Sequence, residues 1–293
     1  MPVIVINQTI FRIFKKKLMD YNIKLSNGQI LKGLIKSPGQ NLRAVVILVH
    51  GLGEHIQRYN HWADLFIGEM IAFTGVDLPG HGRTDGKRGH IRSFSTLREI
   101  IEVLIGECKK TFPGTPLFLY GHSLGGLIVL DYILKKNPSV KGVIVTSPAI
   151  RLGFEPDKSK VKLAGLVKYF LPSLSQPTLL PVDFLSHDLE VVERYKKDPL
   201  VHGKVTVNLF HGFMNASKDT LRLASELKLP LLLIHGSDDK VCSPSGSMEF
   251  AEKAKSTELK IWDGGYHELH NEPFRKEVFD FIINWINRKI GKK

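Results

Sequence analysis

An α/β fold with a mostly parallel sheet, helices on both of its faces and one helical insertion is predicted by three observations. Short apolar runs alternate with helix-period segments along most of the chain. The runs are apolar at consecutive positions, as in strands buried on both faces, and between Ser147 and Ala216 the alternation stops. The 293 residues are 43% hydrophobic and 24% charged, a composition that excludes disordered, collagenous and disulfide-stapled chains. A chain of this length can bury roughly 75% of its unfolded surface, enough for one large core with an insertion.

The elements follow in chain order. The first residues, 1–6, carry no basic flank, and Lys15, Lys16 and Lys17 come after the apolar run, so the start does not read as a secretory signal. Phe11, Phe14 and Leu18 beside those lysines read as a short surface-binding helix or as ordered packing. Segments 22–26 and 30–35, separated by Asn27-Gly28-Gln29, predict a hairpin at the sheet edge. Buried strands are predicted at 44–49, 70–73, 116–120, 142–146, 231–235 and 259–262. Leu97, Ile100, Ile101, Leu104, Ile105 and Cys108 fall on one helical face, with Thr96-x-x-Glu99 read as its capping box. A last helix is expected to start near Pro273 and to turn Phe274, Val278, Phe279, Ile282 and Ile286 inward. Residues 1–147 and 217–293 thus form the expected core, and 148–216, interrupted by six prolines, an inserted cap. Within the cap, Leu163, Val167, Phe170 and Leu171 make an apolar stripe among Lys160, Lys162 and Lys168, which fits packing on the core or contact with an acyl chain or membrane.

The net charge of +12 permits attraction to nucleic acid or anionic lipid, but the basic residues are scattered and carry no stacking-aromatic or zinc-finger pattern. No nucleic-acid partner is expected. Two cysteines, Cys108 and Cys242, make neither a disulfide framework nor a metal cluster, and with no run near ~18 apolar residues they point to a cytoplasmic protein, at most lying on a membrane. Composition leaves the oligomeric state open.

Chemistry enters at Gly121-His122-Ser123-Leu124-Gly125, a G-x-S-x-G string between an apolar run and the helical pattern Leu127, Ile128, Leu130, Ile133, Leu134. A sharp strand-to-helix turn crowds the backbone two residues either side of the serine, where only glycine fits. A serine hydroxyl is a weak nucleophile, so a base must take its proton and an acid must orient that base. The order Ser, acid, His is met by Asp238 or Asp239 after the run at 231–235, and by His267 or His270 after the run at 259–262. Placement alone leaves both choices open. His50-Gly51-Leu52-Gly53 follows the run at 44–49, so the Leu52 N–H, with that of Leu124 after the serine, is the candidate pair of oxyanion donors.

These residues resemble the monoacylglycerol lipase and lysophospholipase group of α/β-hydrolases. The resemblance is carried by HGLGEHIQRY at 50–59, DLPGHGRTDGKRGHI at 77–91, GHSLGG at 121–126, YKKDPLVHGK at 195–204, HGSDDKVCSP at 235–244 and GGYHELHNEP at 264–273. It implies the α/β-hydrolase fold, Ser123 as nucleophile, Asp239 as acid and His267 as base. It also maps Glu54, Arg58, Tyr195 and His270 onto contacts with a glycerol head group, and Cys242 onto a cysteine near the acid. The first 20 residues and 151–182 lie outside it. The implied reaction is ester hydrolysis through an acyl-enzyme, without metal or organic cofactor, on a lipid-like acyl ester of a small neutral alcohol, hence monoacylglycerol. Lysophospholipid or a general carboxylic ester is the alternative. A non-catalytic ligand receptor on the same fold is a remoter one, and a peptidase is disfavoured because the cap holds no acidic cluster for a free amine.

Overall fold

The computed structural model describes residues 19–154 and 164–291. The expectations for Phe11, Phe14, Leu18 and Lys15 to Lys17, and for Lys160, Lys162 and Leu163, lie outside these residues. Eight strands form one sheet: β1 (Met19–Lys24), β2 (Ile30–Lys36), β3 (Ala44–Val49), β4 (Ile71–Val76), β5 (Leu117–His122), β6 (Gly142–Thr146), β9 (Leu231–Gly236) and β10 (Thr257–Trp262). Their order is β1-β2-β4-β3-β5-β6-β9-β10, with β1 and β2 antiparallel and all strands from β4 onward parallel. A separate pair, β7 (Ser175–Pro177) and β8 (Lys204–Thr206), is antiparallel.

The consecutive apolar runs follow from burial on both faces. Val45, Ile47 and Val49 of β3 point to one core, with Leu119, Val145 and Leu233 of neighbouring strands. Val46 and Leu48 point to the other, with Phe118, Tyr120, Ile144 and Ile234. Helices α1 (Asn60–Gly68) and α7 (Arg275–Ile290) cover the second face through Trp62, Phe66, Phe279 and Trp285. Helices α2 (Phe94–Thr111), α3 (Leu124–Lys136), α5 (Val207–Leu223) and α6 (Pro244–Lys253) cover the first, and α4 (Leu189–Lys197) lies in the segment between β6 and β9. Cys108 sits in this core as the helical pattern implied, its thiol pushed up to about 12 by burial.

The hairpin strand runs 19–24 instead of 22–26, because residues 25–29 close a tighter loop: the Gly28 N–H donates to the Leu25 carbonyl, and Gly28 takes φ +87°. β4 continues past Phe73 to Val76. The α2 cap is Ser93, whose hydroxyl accepts from the Ser95 N–H, so Thr96 is already helical and the predicted capping box does not form. Glu99 instead accepts from the Ser26 N–H at 2.6 Å, tying α2 to the hairpin. The stripe of 163–171 divides: Val167 faces a cavity, whereas Phe170 and Leu171 are exposed. Residue 216 lies inside α5, which packs through Leu209, Phe213 and Ala216 into the first core.

Candidate active site

All the chemistry-bearing loops leave the carboxyl ends of parallel strands, where α/β sheets open a crevice. β5 ends in a turn whose apex, Ser123, has φ 54° and ψ −121° before α3 begins at Leu124. A conformation so sparsely populated by L-residues stores about 1–3 kcal/mol and persists only where the surroundings enforce it. They do so by close contact. A Cβ on Gly121 would lie 2.6 Å from the Gly125 carbonyl oxygen, and one on Gly125 would lie 2.0 Å from that of Val49. The glycines flanking the serine are therefore demanded by space, as the motif implied.

The loops after β9 and β10 meet over this apex. Gly236 and Gly265 pass so closely that a Cβ on Gly236 would stand 2.1 Å from the Gly265 oxygen. The Gly264 N–H donates to Ser237 Oγ at 2.8 Å, pinning one loop to the other. In the result His267 Nε2 lies 3.0 Å from Ser123 Oγ, and His267 Nδ1 lies 2.7 Å from Asp239 Oδ2. Asp238 is exposed and accepts from the Ser237 hydroxyl, so of the two aspartates only Asp239 reaches the imidazole.

Asp239 is saturated. Its Oδ1 accepts the N–H groups of Val241 and Cys242 at 2.8 and 2.9 Å, and its Oδ2 also receives His235 Nε2 at 3.0 Å. The same His235 nitrogen lies 3.0 Å from the Cys242 carbonyl, which fixes it as the protonated one and leaves Nδ1 to accept from Ser247 Oγ at 2.7 Å. Burial would raise the Asp239 pKa, yet the imidazoles of His267 and His235 hold it well below the usual carboxylate range. Burial would likewise depress His267, but the Asp239 carboxylate, with Glu268 and Glu54 behind it, outweighs burial and holds its pKa above the ordinary histidine value. In the neutral ring the proton sits on Nδ1, which donates to Asp239 Oδ2, and the Nε2 lone pair faces the Ser123 hydroxyl.

The loop after β3 closes on the serine. A Cβ on Gly51 would come within 3.0 Å of Ser123 Cβ. The Leu52 and Leu124 amides donate to no protein acceptor among the described residues, and both residues line the cavity in front of Ser123. Glu54 shapes this loop: its Oε1 accepts from the Gly51 N–H at 2.6 Å and from the Tyr59 hydroxyl at 2.9 Å. Its Oε2 takes Arg58 Nη1 at 2.8 Å, and Arg58 also grips Glu268 through two bonds of 2.7 Å. The guanidinium lies 4.7 Å over the Tyr195 ring. Burial opposes the ionised form of both partners, but Arg58 keeps the Glu268 carboxyl below its usual range.

Glu54, Arg58 and Tyr195 therefore line the cavity as polar groups already engaged with one another. His270 does not join them. It is buried, absent from the cavity wall, stacked on Tyr59 at 4.6 Å and edge-on to His122 at 4.8 Å, and burial pushes its pKa down to about 3. His270 thus stands behind Tyr59, away from the groups that line the cavity. Cys242 is buried on the cavity wall, where burial raises its thiol well above the ordinary value. Sequence reasoning missed His235, Glu268 and Glu272, although all three stand in the quoted strings around Asp239 and His267.

The cavity holds about 630 Å³, within the usual range for small-molecule sites. Beyond Ser123 its wall is apolar, with Leu152, Leu180, Leu185, Phe210, Phe213 and Val241 among the residues. A second depression, open to the surface and of about 680 Å³, lies along α4 between His55 and Lys197; Ser123 does not line it. Among the described residues no group of three or more His, Cys, Asp or Glu side chains is arranged to hold a metal.

The family profile described as "Serine aminopeptidase, S33" matches residues 40–274. A monoacylglycerol lipase of Mycolicibacterium smegmatis is 33% identical over 253 residues, covering 85% of this chain and 90% of that protein. An uncharacterized abhydrolase domain-containing protein of Dictyostelium discoideum is 34% identical over 273 residues, covering 92% of this chain. The chain spans only 29% of the length of that larger relative. Among solved structures, the monoacylglycerol lipase of Paleococcus ferrophilus superposes with a TM-score of 0.79 at 31% identity, covering 93% of this chain and 99% of that one. With the profile and the lipase alignments both running through most of its length, the chain belongs to the S33 serine-hydrolase family of the α/β-hydrolase fold.

Proposed function

We propose that the chain hydrolyses carboxylic esters of lipid-like acyl chains, with monoacylglycerol as substrate and a fatty acid and glycerol as products. The observation that carries this reading is an apolar cavity that opens at Ser123 and ends, on the alcohol side, in an arginine whose charge is already matched. Ser123 is the nucleophile. His267 accepts its proton through Nε2 as Oγ attacks the ester carbonyl, and Asp239 stays ionised and fixes the imidazole tautomer. The Leu52 and Leu124 amides hold the oxyanion, and losing one such donor costs about 2.7–4 kcal/mol of barrier stabilisation. His267 returns the proton to the departing alcohol. Water, deprotonated by the same nitrogen, then releases the fatty acid.

Arg58 shares its donors between Glu54 and Glu268, so this end of the cavity carries two carboxylates against one guanidinium. An anionic phosphodiester meets net negative charge there, whereas the hydroxyls of glycerol find acceptors. Turnover of monoacylglycerol and of lysophosphatidylcholine by the purified chain decides between the head groups: the first is expected to be the better substrate by about tenfold or more in kcat/KM. A preference for the second overturns the assignment.

The reaction needs neutral His267, so kcat/KM is expected to rise with pH as that imidazole loses its proton. Because the carboxylates outweigh burial at His267, the midpoint of this rise lies above the ordinary histidine value. A pH–rate profile on a soluble ester checks it; a midpoint well below that value removes the Asp239–His267 interaction from the account.

Residues 148–216 act as a cap over the cavity on this reading. Their outer surface supports contact with a lipid surface: Phe170, Tyr169 and Leu171 are 85%, 74% and 57% exposed, next to Lys168 in the chain. Phe170→Ser with Leu171→Ser removes ~1.5 kcal/mol or more of burial per side chain. It is expected to weaken co-sedimentation with anionic vesicles at least about tenfold and to leave turnover of a soluble ester unchanged; unaltered sedimentation argues against this face. No helix among the described residues is long and apolar enough to cross a membrane. Cys108 and Cys242, both buried as free thiols, support a reducing, cytoplasmic setting.

A further inference from the structure

One buried carboxylate in the histidine loop takes part in none of these steps. Glu272, five residues after His267, is fully buried and gathers donors from two separate stretches of chain. From its own loop the Tyr266 N–H donates to Oε1 at 2.8 Å. From residues 186–187 the His187 N–H donates to Oε2 at 3.0 Å, His187 Nδ1 lies 3.1 Å from Oε1, and the Ser186 hydroxyl approaches Oε2 at 3.4 Å. The His187 ring stacks on Tyr266 at 3.6 Å. Two main-chain bonds extend the seam, from the His267 N–H to the Phe184 carbonyl at 3.4 Å and from the Glu268 N–H to that of Leu185 at 2.8 Å.

Both sides of this seam bear on the site. Tyr266 immediately precedes His267, whose ring must meet Ser123 Oγ and Asp239 Oδ2 at once. Leu185 lines the cavity. A buried carboxylate is costly unless donors saturate it, and here those donors are the backbone of the catalytic loop and of the segment that walls the cavity. Glu272 itself does not line the cavity.

We propose that Glu272 is a positioning residue: its carboxylate sets the Tyr266–His267 backbone against residues 184–188, so that the imidazole stays between Ser123 and Asp239 while Leu185 keeps its place in the wall. The kinetic part of the test rests on the hydrolase reading, and the spectroscopic part does not. Glu272→Gln keeps the shape but turns one acceptor oxygen into an NH₂, so donors on that side lose their partner. In the full-length chain, kcat and KM are measured on a soluble ester. The far-downfield proton resonance of the His267–Asp239 hydrogen bond, identified by its loss in His267→Ala, is followed alongside.

A displacement near 1 Å costs on the order of 100-fold, so kcat is expected to fall about 10- to 100-fold, with KM within about threefold and the resonance shifted or broadened. Unchanged kcat, a loss confined to KM, or lost kcat with an unmoved resonance overturns the proposal. If Glu272→Gln does not fold, His187→Asn at a more exposed position decides: a lower kcat at unchanged KM supports it, and an unchanged kcat overturns it. Failure of the hydrolase reading looks different, because the wild-type chain then turns over no ester while the resonance still reports on Glu272.

Discussion

Ser123→Ala is expected to lower kcat for monoacylglycerol hydrolysis by on the order of 10⁶-fold, with KM close to that of the wild type. The change removes one oxygen and touches nothing else in the cavity wall. His267 keeps its Nδ1 bond to Asp239, and the Leu52 and Leu124 amides remain free to receive an oxyanion. What disappears is the covalent intermediate, so the residual rate reflects only water directed by His267 and the preformed amides, typically 10³–10⁴-fold over the uncatalysed reaction. The Ser123 backbone, at φ 54°, is as strained for alanine as for serine, so thermal unfolding of the two proteins should coincide. Steady-state kinetics with matched unfolding curves is the check, and a variant that retains a tenth of its activity refutes the role of Ser123.

Asp239→Asn carries the second largest effect, a fall in kcat of about 10⁴-fold. Its cause is a reversed hydrogen bond. The amide oxygen is held by the N–H groups of Val241 and Cys242, so the NH₂ faces His267 and His235. His267 Nδ1 must then accept, which moves its proton to Nε2 and points a donor at Ser123 Oγ where a lone pair is needed. His235 meets the same NH₂ with a donor of its own. Removing the carboxylate also removes the main influence that holds the His267 pKa up, so the midpoint of the residual pH–rate profile should move down. Loss of rate without that downward movement contradicts the tautomer explanation.

Much of this arrangement was legible in the sequence, for reasons that differ from residue to residue. The strands were readable because burial on both faces leaves no polar position in runs such as Ala44–Val49. Ser123 was readable because its turn admits only glycine at 121 and 125, a steric requirement that prints itself on the chain. Residue order alone did not separate Asp239 from Asp238, since which of two adjacent carboxylates turns inward depends on the Val241 and Cys242 amides beyond them. Glu54 and Arg58 were marked as substrate contacts. Their partners, Gly51 and Tyr59 for the first and Glu268 for the second, give them a further task that no local pattern announces. His270 and Glu272 stand in one short string, yet the first is sealed against Tyr59 and the second clasps residues 186–187, contacts across the fold that sequence spacing does not encode. The helix is capped by Ser93 and not by Thr96: the Ser93 hydroxyl takes the Ser95 N–H, and Glu99, the would-be partner in the box, bonds Ser26 of the hairpin.

One hydroxyl, that of Ser123, lies 3.0 Å from His267 Nε2 and is expected to become acylated. Reaction with a fluorophosphonate, followed by peptide mass spectrometry, reads that event directly. A single adduct on the peptide containing Ser123, absent from Ser123→Ala, is the predicted outcome. An adduct that persists in Ser123→Ala, or ester turnover by a wild-type chain that takes up no label at Ser123, contradicts it.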